Sequence, residues 1–455
     1  MSLPQGRIHL VGAGGAGMSA IAKLLLGRGH QLSGSDLKAG AALEALADLD
    51  IETYVGHHPE AVDDAALVVA SSAVPDYDEE LEAARHAGIP VWRRPELLEA
   101  ITAEQPSIGV TGTHGKTTTT AMLITILSQL GEDPSFVVGG DLVDVGTNGH
   151  AGNDDLLVLE ADEAFRTFES LHLRGLVVTN VEYEHVDHFD SADDLVLSFI
   201  NVADRVDGPV VACLDDPGSG RVGSQTGAIT YGLDADADWR ISELSHGSGS
   251  VSFRLDGPHR TSHVSVLQPG THVALNAAGA LALVSELGRD LNDSAEALAA
   301  FRGVGRRWEH KGTVDGVMLY DDYAHHPTEV TAVLAAARSA GPGRLWAVFQ
   351  PHLYSRTERF ASEFGRALAA ADVVVVTDVF GAREEPVPGI TGELVADAAR
   401  KAGAVVHYVP HRLDLAEFLA PRVESGDLVI SLGAGDITLL HTELVPLLGT
   451  LGARS

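Results

Sequence analysis

Short runs of consecutive apolar residues alternate along this chain with longer segments whose apolar positions recur every three to four residues. Residues 8–11 and 67–70 are of the first kind, and residues 18–26 and 79–87 of the second. An unbroken apolar run bounded by turn residues reads as a strand buried on both faces, and helical periods between such runs predict a parallel sheet flanked by helices. The pattern returns twice. Residues 107–110, 156–159, 176–179 and 210–214 predict a second set of strands, with helices over 119–130 and 274–287, and residues 345–349, 373–376 and 428–432 predict a third. Residues 236–266 instead alternate with period two and carry several glycines, which predicts an antiparallel excursion. A length of 455 residues fits about three domains of ordinary size. The expectation is an α/β protein with a Rossmann-like first domain (1–105), a central P-loop domain (106–302) and a C-terminal Rossmann-like α/β domain (303–455). Their junctions are placed in the polar stretch 92–106, around Arg93, Arg94 and Pro95, and at Gly303-Val304-Gly305-Arg306-Arg307.

The 31 basic and 64 acidic residues leave a formal charge of −33, which repels nucleic acid and anionic membrane surfaces, so a phosphate-bearing ligand has to be held in local pockets. The single cysteine, Cys213, lies in an apolar run and reads as a buried, inert thiol in a protein without disulfides. There is no uninterrupted apolar stretch of about eighteen residues and no charged segment followed by an apolar signal core, so the expectation is a soluble, cytoplasmic protein.

Two glycine-rich turns follow predicted strands. Gly12-Ala13-Gly14-Gly15-Ala16-Gly17 has the GxGxxG spacing, and Asp36 follows nineteen residues after Gly17. That pattern suits a dinucleotide such as NAD, and equally any diphosphate at a helix N-terminus, including that of a nucleotide sugar. The second turn, Gly112-Thr113-His114-Gly115-Lys116-Thr117-Thr118, stands between a strand and a helix. Its glycines let backbone N–H groups converge on phosphate oxygens, Lys116 supplies a point charge and the Thr117 hydroxyl a Mg²⁺ ligand, so the expected ligand is a nucleoside triphosphate. Val110 stands where the strict P-loop pattern has its first glycine, which makes this a tighter turn.

Polar residues collect where the predicted strands end. Glu160-Ala161-Asp162-Glu163 follows one strand, and Asn180-Val181-Glu182-Tyr183-Glu184-His185-Val186-Asp187-His188 the next. Carboxylates beside a triphosphate loop suit Mg²⁺, which prefers hard oxygen ligands, and Glu160 and His185 are the candidates. Solvated loop acids in an acidic chain are the alternative, and His185 with His188, without nearby cysteines or a third histidine, is a poor zinc site. In the last domain, Asp321, Asp322, His325 and His326 end a strand and open a helix at Pro327, a favourable first helical position. Such a cluster points to function, with helix capping by Asp322 or Thr328 as the structural alternative. His352, Leu353 and Arg356 follow the strand 345–349, and Arg356 is a candidate anion ligand.

Taken in order, these motifs resemble those of the Mur ligases over essentially the whole chain. HLVGAGGAGMSAIA and SGSD resemble the family's opening, GTHGKTTTT its ATP loop, and EADE and TNVEYEH its central acidic motifs. GRRWEHKG, DDYAHHPTEV, FQPHLYSRT and GAGD resemble its third domain, and GGAGMS and DDYAHHPTE the branch that adds the first amino acid of the peptidoglycan stem. The resemblance implies a first domain that holds UDP rather than NAD, a central ATPase, and a third domain that closes over ATP and the incoming amino acid. It further implies that the lactyl carboxylate of UDP-N-acetylmuramate attacks the γ-phosphate of ATP, and that the amine of L-alanine then attacks the acyl phosphate.

By the same resemblance Lys116 grips the β- and γ-phosphates, and Gly112, Thr113, His114, Gly115 and Thr118 complete the loop. Thr117, Glu160 and His185 hold Mg²⁺, Asn276 contacts adenine, and Arg307 and Asp322 complete the ATP site on closure. Gly12, Gly14, Gly15, Gly17, Ser35, Asp36 and Ser71 fall on the sugar-nucleotide side. His325, His326, His352 and Arg356 belong near the amino acid and the reacting carboxyl, with His325 and Arg356 in the catalytic set. Three places depart from the family pattern: Val273 replaces an asparagine, residues 164–168 replace a Ser-Asp continuation, and Leu353 replaces an arginine expected to anchor the amino acid's carboxylate. An NAD-dependent oxidoreductase leaves the Lys116 loop without work, and intact Lys116, Thr117, Glu160 and His185 count against a noncatalytic UDP-sugar binder. The nearer alternative is a ligase that adds another amino acid, or a preformed peptide, to the same sugar nucleotide.

Overall fold

The computed structural model describes residues 3–183, 189–382 and 384–452. Five parallel strands form the first sheet, in the order Glu52–Val55, Leu32–Asp36, Arg7–Val11, Ala65–Ala70, Val91–Arg93. The chain winds outward in both directions from Arg7–Val11, so the first glycine turn lies at the C-terminal end of the strand where the order reverses, the usual place for a ligand crevice. A second sheet of ten strands places the phosphate-loop strand Ser107–Thr111 between Gly175–Val178 and Leu157–Glu160, parallel to both. The loop at Gly112, the end of the Glu160 strand and the turn at Asn180 therefore emerge side by side. Trp239–Gly247, Ser250–Gly257 and Arg260–Val266 extend this sheet, and the tight turns between them, at 248–249 and 258–259, permit only antiparallel neighbours.

The third sheet has six strands. Glu309–Val314 runs antiparallel to Val317–Asp322, which continues in parallel with Leu428–Leu432, Leu345–Phe349, Val373–Val376 and Val406–Tyr408. By packing, residues 1–244, 252–266 and 274–302 form one compact unit, and 303–455 with 245–251 and 267–273 form the other. One apolar cluster within the first unit joins Ile8, Ile21 and Leu97 to Leu157, Leu159 and Leu176, so the first two sheets share a core. No described helix is long and apolar enough to cross a membrane.

Three local features differ from the sequence expectation. Residues 92–106, read as a junction, contain the helix Arg94–Glu104: Pro95 sits in its first turn, the Glu96 carboxylate accepts from the Arg93 N–H at 2.9 Å, and Leu97, Leu98 and Ile101 are buried. The polar residues that suggest a junction are the helix's start. The phosphate-loop helix begins at Lys116 rather than 119 and is buried from Thr117 to Leu127, which removes the amphipathic period that marks a surface helix. A strand pair, Ser135–Leu142 and Thr147–His150, was hidden by its polar and glycine residues. It packs on the helix Ala16–Gly27 so closely that a Cβ on Gly149 would stand 2.1 Å from the Ala20 carbonyl oxygen. The Asn148 side-chain amide donates to the Ala16 carbonyl at 2.9 Å and accepts from Lys23 Nζ at 2.8 Å, fastening the first domain's opening helix to the central sheet.

Candidate active site

The first glycine turn is shaped by what crowds it. Gly12 holds φ +81°, and a Cβ there would meet Ser71 Cβ at 3.0 Å. Gly14 donates its N–H to Asp36 Oδ2 at 3.0 Å, and Gly15 caps the helix Ala16–Gly27. Gly17 leaves room for Arg94, whose Nη1 would lie 2.7 Å from an added Cβ. Gly12, Gly14, Gly15, Gly17, Asp36 and Ser71 thus gather at one turn. Ser35 differs. It is 1% exposed, its hydroxyl donates to Glu80 Oε2 at 2.6 Å, and only its carbonyl reaches the turn, accepting from Gly12 and Ala13. Its side chain supports the turn from beneath, through a buried cluster in which His9 bridges Glu80 at 3.0 Å and Ser33 at 2.8 Å.

The second turn is held from several sides. Gly112, at φ +129°, lies so close to Thr179 that a Cβ would fall 2.1 Å from its hydroxyl. Gly115, at φ +82°, packs against Asn276, whose Oδ1 would be 2.6 Å from an added Cβ. Thr113 donates its hydroxyl to the Glu182 carbonyl at 3.0 Å, and the His114 N–H donates to Asn180 Oδ1 at 2.8 Å. The Lys116 ammonium donates to the Gly112 carbonyl at 2.6 Å and to Glu163 Oε1 and Oε2 at 2.9 and 2.8 Å. Burial alone would lower the Lys116 pKa, but the adjacent Glu163 carboxylate outweighs it and holds the ammonium above its ordinary value.

Thr117 and Glu160 are neighbours: the Thr117 side chain and the Gly139 N–H, at 2.5 Å, both hydrogen-bond the Glu160 carboxylate. Burial nonetheless pushes this carboxyl above its usual range, against the pull of Gly139 and Lys116. Thr118 is buried beneath the loop. His185, with Glu184 and His188, lies outside the described residues. The Cys213 thiol is buried and pushed up to about 12, an inert group as expected.

In the third domain the two aspartates play different parts. Asp321 is fully buried; it accepts from the Ser431 hydroxyl, from Thr438 Oγ1 at 2.7 Å and from Arg306 Nε at 3.4 Å. Asp322 accepts from the Trp308 and Ala324 N–H groups, each at 2.8 Å, and burial pushes its carboxyl up to about 6 against the nearby Arg307. The helix Pro327–Ser339 is capped by neither Asp322 nor Thr328. His326 is its cap, and the Glu329 carboxylate accepts from the His325 and His326 N–H groups at 2.9 and 3.2 Å. Arg307 approaches Glu329 at 3.8 Å and lies 4.9 Å over the Tyr323 ring. The rings of His325 and His352 stand 6.0 Å apart, and His352 Nδ1 meets Arg356 Nη1 at 3.3 Å. Leu353 turns the chain at φ +70° while its N–H donates to the Phe380 carbonyl at 2.9 Å. His326 itself is 2% exposed and edge-on to Phe360 at 5.0 Å.

Arg307, Asp322, His325, His352 and Arg356 therefore cluster at the strand ends of one sheet, and Lys116, Thr117, Glu160 and Asn276 around the phosphate loop of another. Sequence reasoning missed Glu163, the direct partner of Lys116, and Arg94, which ion-pairs with Asp162 at 3.2 Å. The position of Glu163 within EADE was the available signal. Arg94 falls in the polar stretch whose composition predicts a domain junction.

Residues 7–106 match the model of the Mur ligase family catalytic domain, residues 110–284 the Mur ligase middle domain, and residues 306–435 the Mur ligase glutamate ligase domain. UDP-N-acetylmuramate–L-alanine ligases of Saccharopolyspora erythraea and Kineococcus radiotolerans are each 46% identical, over 96% and 97% of this chain and 92% and 96% of theirs. The crystal structure of a UDP-N-acetylmuramate-alanine ligase from Thermotoga maritima superposes with a TM-score of 0.86 at 28% identity, covering 99% of this chain and 100% of that one. A murein peptide ligase from Psychrobacter arcticus shares the fold, with a TM-score of 0.71 at 23% identity over 98% of this chain and 99% of that one. Three α/β domains in this order, with this identity over nearly the full length, establish that the chain belongs to the Mur ligase family.

Proposed function

We propose that this chain joins L-alanine to the lactyl carboxylate of UDP-N-acetylmuramate with cleavage of ATP, giving UDP-N-acetylmuramoyl-L-alanine, ADP and phosphate for peptidoglycan synthesis in the cytoplasm. Residues 1–105 bind the sugar nucleotide, 106–302 bind ATP, and 303–455 bring the amino acid. The observation that carries this reading is the Lys116, Thr117 and Glu160 set at parallel strand ends, in a chain 46% identical to ligases that bear this activity in their names. The substrate carboxylate oxygen attacks the γ-phosphorus as ADP leaves. The amine then attacks the acyl carbon, phosphate departs, and the amine gives up a proton. Little covalent work falls to the protein, so positioning and charge stabilisation dominate.

Lys116 and the loop N–H groups meet the phosphates, with Gly112 and Gly115 allowing the backbone its approach. Asn276, seated against Gly115, takes the adenine side. Thr117 and Glu160 supply hard oxygen donors, and a buried carboxyl raised above its usual range is a group that a cation relieves, so this donor set fits Mg²⁺, with His185 as a further ligand. Mg²⁺ supplies neutralisation of the phosphate charge when bound with ATP. His325 Nδ1 lies 3.1 Å from the Tyr323 carbonyl, and donation there leaves Nε2 as the basic nitrogen, suited to the amine's proton. His352 and Arg356 take the amino acid's carboxylate.

Phosphate release from ATP with Mg²⁺ and UDP-N-acetylmuramate, scanned across L-alanine, glycine, L-serine and other amino acids with product mass recorded, tests the proposal. Release that needs the sugar nucleotide and is strongest with L-alanine supports it. Release with a different amino acid overturns the substrate, and no release with any of them overturns the reaction.

A further inference from the structure

A cavity of about 200 Å³ lies between the first glycine turn and the acidic strand end of the central sheet. Leu98, Val137 and Val138 give it an apolar wall, while Glu160, Asp162 and Arg94 are its ionisable groups, and Arg94 is the one cation among its described lining residues. The two arginines that open the neighbouring helix are used differently. Arg93 is tied down locally, Nη1 donating to the Val74 carbonyl at 2.7 Å and Nη2 to Asp76. Arg94 reaches the other way, past Gly17, which has no side chain to block it, and ends with Nη2 3.2 Å from Asp162 Oδ2. Its Nε is buried without a hydrogen-bond acceptor among the described residues. A buried guanidinium N–H without an acceptor costs stability, which a chain tolerates where a ligand uses the fork.

We propose that Arg94 binds the lactyl carboxylate of the sugar-nucleotide substrate, holding it in this cavity between the first glycine turn and the Lys116 loop. The inference rests on the function proposed above and names a residue for recognition of the reacting group. A lactyl group is a carboxylate beside a methyl, and the cavity offers one cation beside an apolar wall. The flanking carboxylates of Glu160 and Asp162 repel an incoming anion, so a cation has to meet it there. Asp162 keeps the guanidinium aligned and yields one of its donors when the substrate arrives.

Binding of UDP-N-acetylmuramate and of UDP-N-acetylglucosamine, which has no lactyl group, is measured by calorimetry for the wild type, Arg94→Ala and Arg94→Lys. Arg94→Ala is expected to weaken UDP-N-acetylmuramate binding by about tenfold or more and leave UDP-N-acetylglucosamine unchanged, the size of one lost charged hydrogen bond. Arg94→Lys, which keeps charge without the fork, is expected to fall between. Unchanged UDP-N-acetylglucosamine binding also shows that the variant is folded. Equal weakening of both ligands assigns Arg94 to the diphosphate or to the fold and overturns the proposal, as does no change in either. A wild type that binds both sugars alike overturns it too. A wild type that distinguishes the two sugars yet ligates no amino acid sinks the proposed function while leaving this comparison readable.

Discussion

Both carboxylate oxygens of Glu163 lie against the Lys116 ammonium, at 2.9 and 2.8 Å, and Glu163 has no exposed surface. Removing one partner of such a pair leaves an uncompensated buried charge. Lys116→Ala is therefore expected to destabilise the protein by about 3 kcal/mol, the low end for buried pairs because Lys116 keeps some exposure. It is also expected to abolish ligation while leaving UDP-N-acetylmuramate binding intact. Lys116→Ala with Glu163→Gln should recover most of the stability and none of the activity. Urea melts and phosphate release separate the two effects, and a double variant no more stable than the single one rules out the pair as the cause.

Glycines of this chain divide by what a methyl group would meet. At Gly149 it would stand 2.1 Å from the Ala20 carbonyl oxygen, so Gly149→Ala has to push the Thr147–His150 strand off the opening helix. The expected cost is about 2–3 kcal/mol, as for overpacking generally. At Gly220, inside the helix Pro217–Thr226, the nearest atom would be the Leu214 carbonyl oxygen at 3.6 Å, ordinary contact. Gly220→Ala should stabilise by about 0.5–1 kcal/mol. Thermal melts of the two variants should move in opposite directions, and a shared direction defeats the argument.

Acid stability should conceal two opposing contributions in the C-terminal unit. Burial pushes the Asp322 carboxyl from 3.8 up to about 6 and the His272 imidazole from 6.5 down to about 4. The native state holds the Asp322 proton more tightly than the unfolded chain, so that contribution falls as pH rises between those limits. At His272 the unfolded chain holds the proton more tightly, so stability rises with pH over nearly the same interval. Each slope is at most about 1.4 kcal/mol per pH unit. Relative to the wild type, Asp322→Asn should steepen the gain in stability between pH 4.5 and 6, and His272→Asn should diminish it. Denaturant midpoints at the two pH values decide, and slopes changed in the same sense by both variants contradict the assignment.

The resemblance implies an arginine where this chain has Leu353, on a turn beside His352 and Arg356. Leu353→Arg is expected to lower the KM for L-alanine several-fold, roughly the worth of one exposed charged contact, with the KM for ATP unchanged. Steady-state kinetics with each substrate varied in turn provides the check. An unaltered or raised KM for L-alanine places the amino acid elsewhere.

The residues alone determined the features whose cause is local. The phosphate loop is contiguous strand, turn and helix, so Gly112, Gly115, Lys116 and Thr117 announce themselves by type and spacing, as do the buried strands by their unbroken apolar runs. Tertiary structure decided which of several equivalent side chains does what. Glu160 and Glu163 are the same residue type three positions apart, yet one accepts from Gly139 and Thr117 and the other from Lys116, because the chain leaves its strand between them. Ser35 is adjacent to Asp36 and points the opposite way, as strand alternation requires, so its hydroxyl serves Glu80 while Asp36 serves Gly14. Arg94 stands in a stretch that reads as a domain junction, yet the fold carries it across to Asp162, 68 positions away in sequence. Partners that distant are brought together by the packing of sheets and helices on one another, and no local pattern of residues encodes that approach.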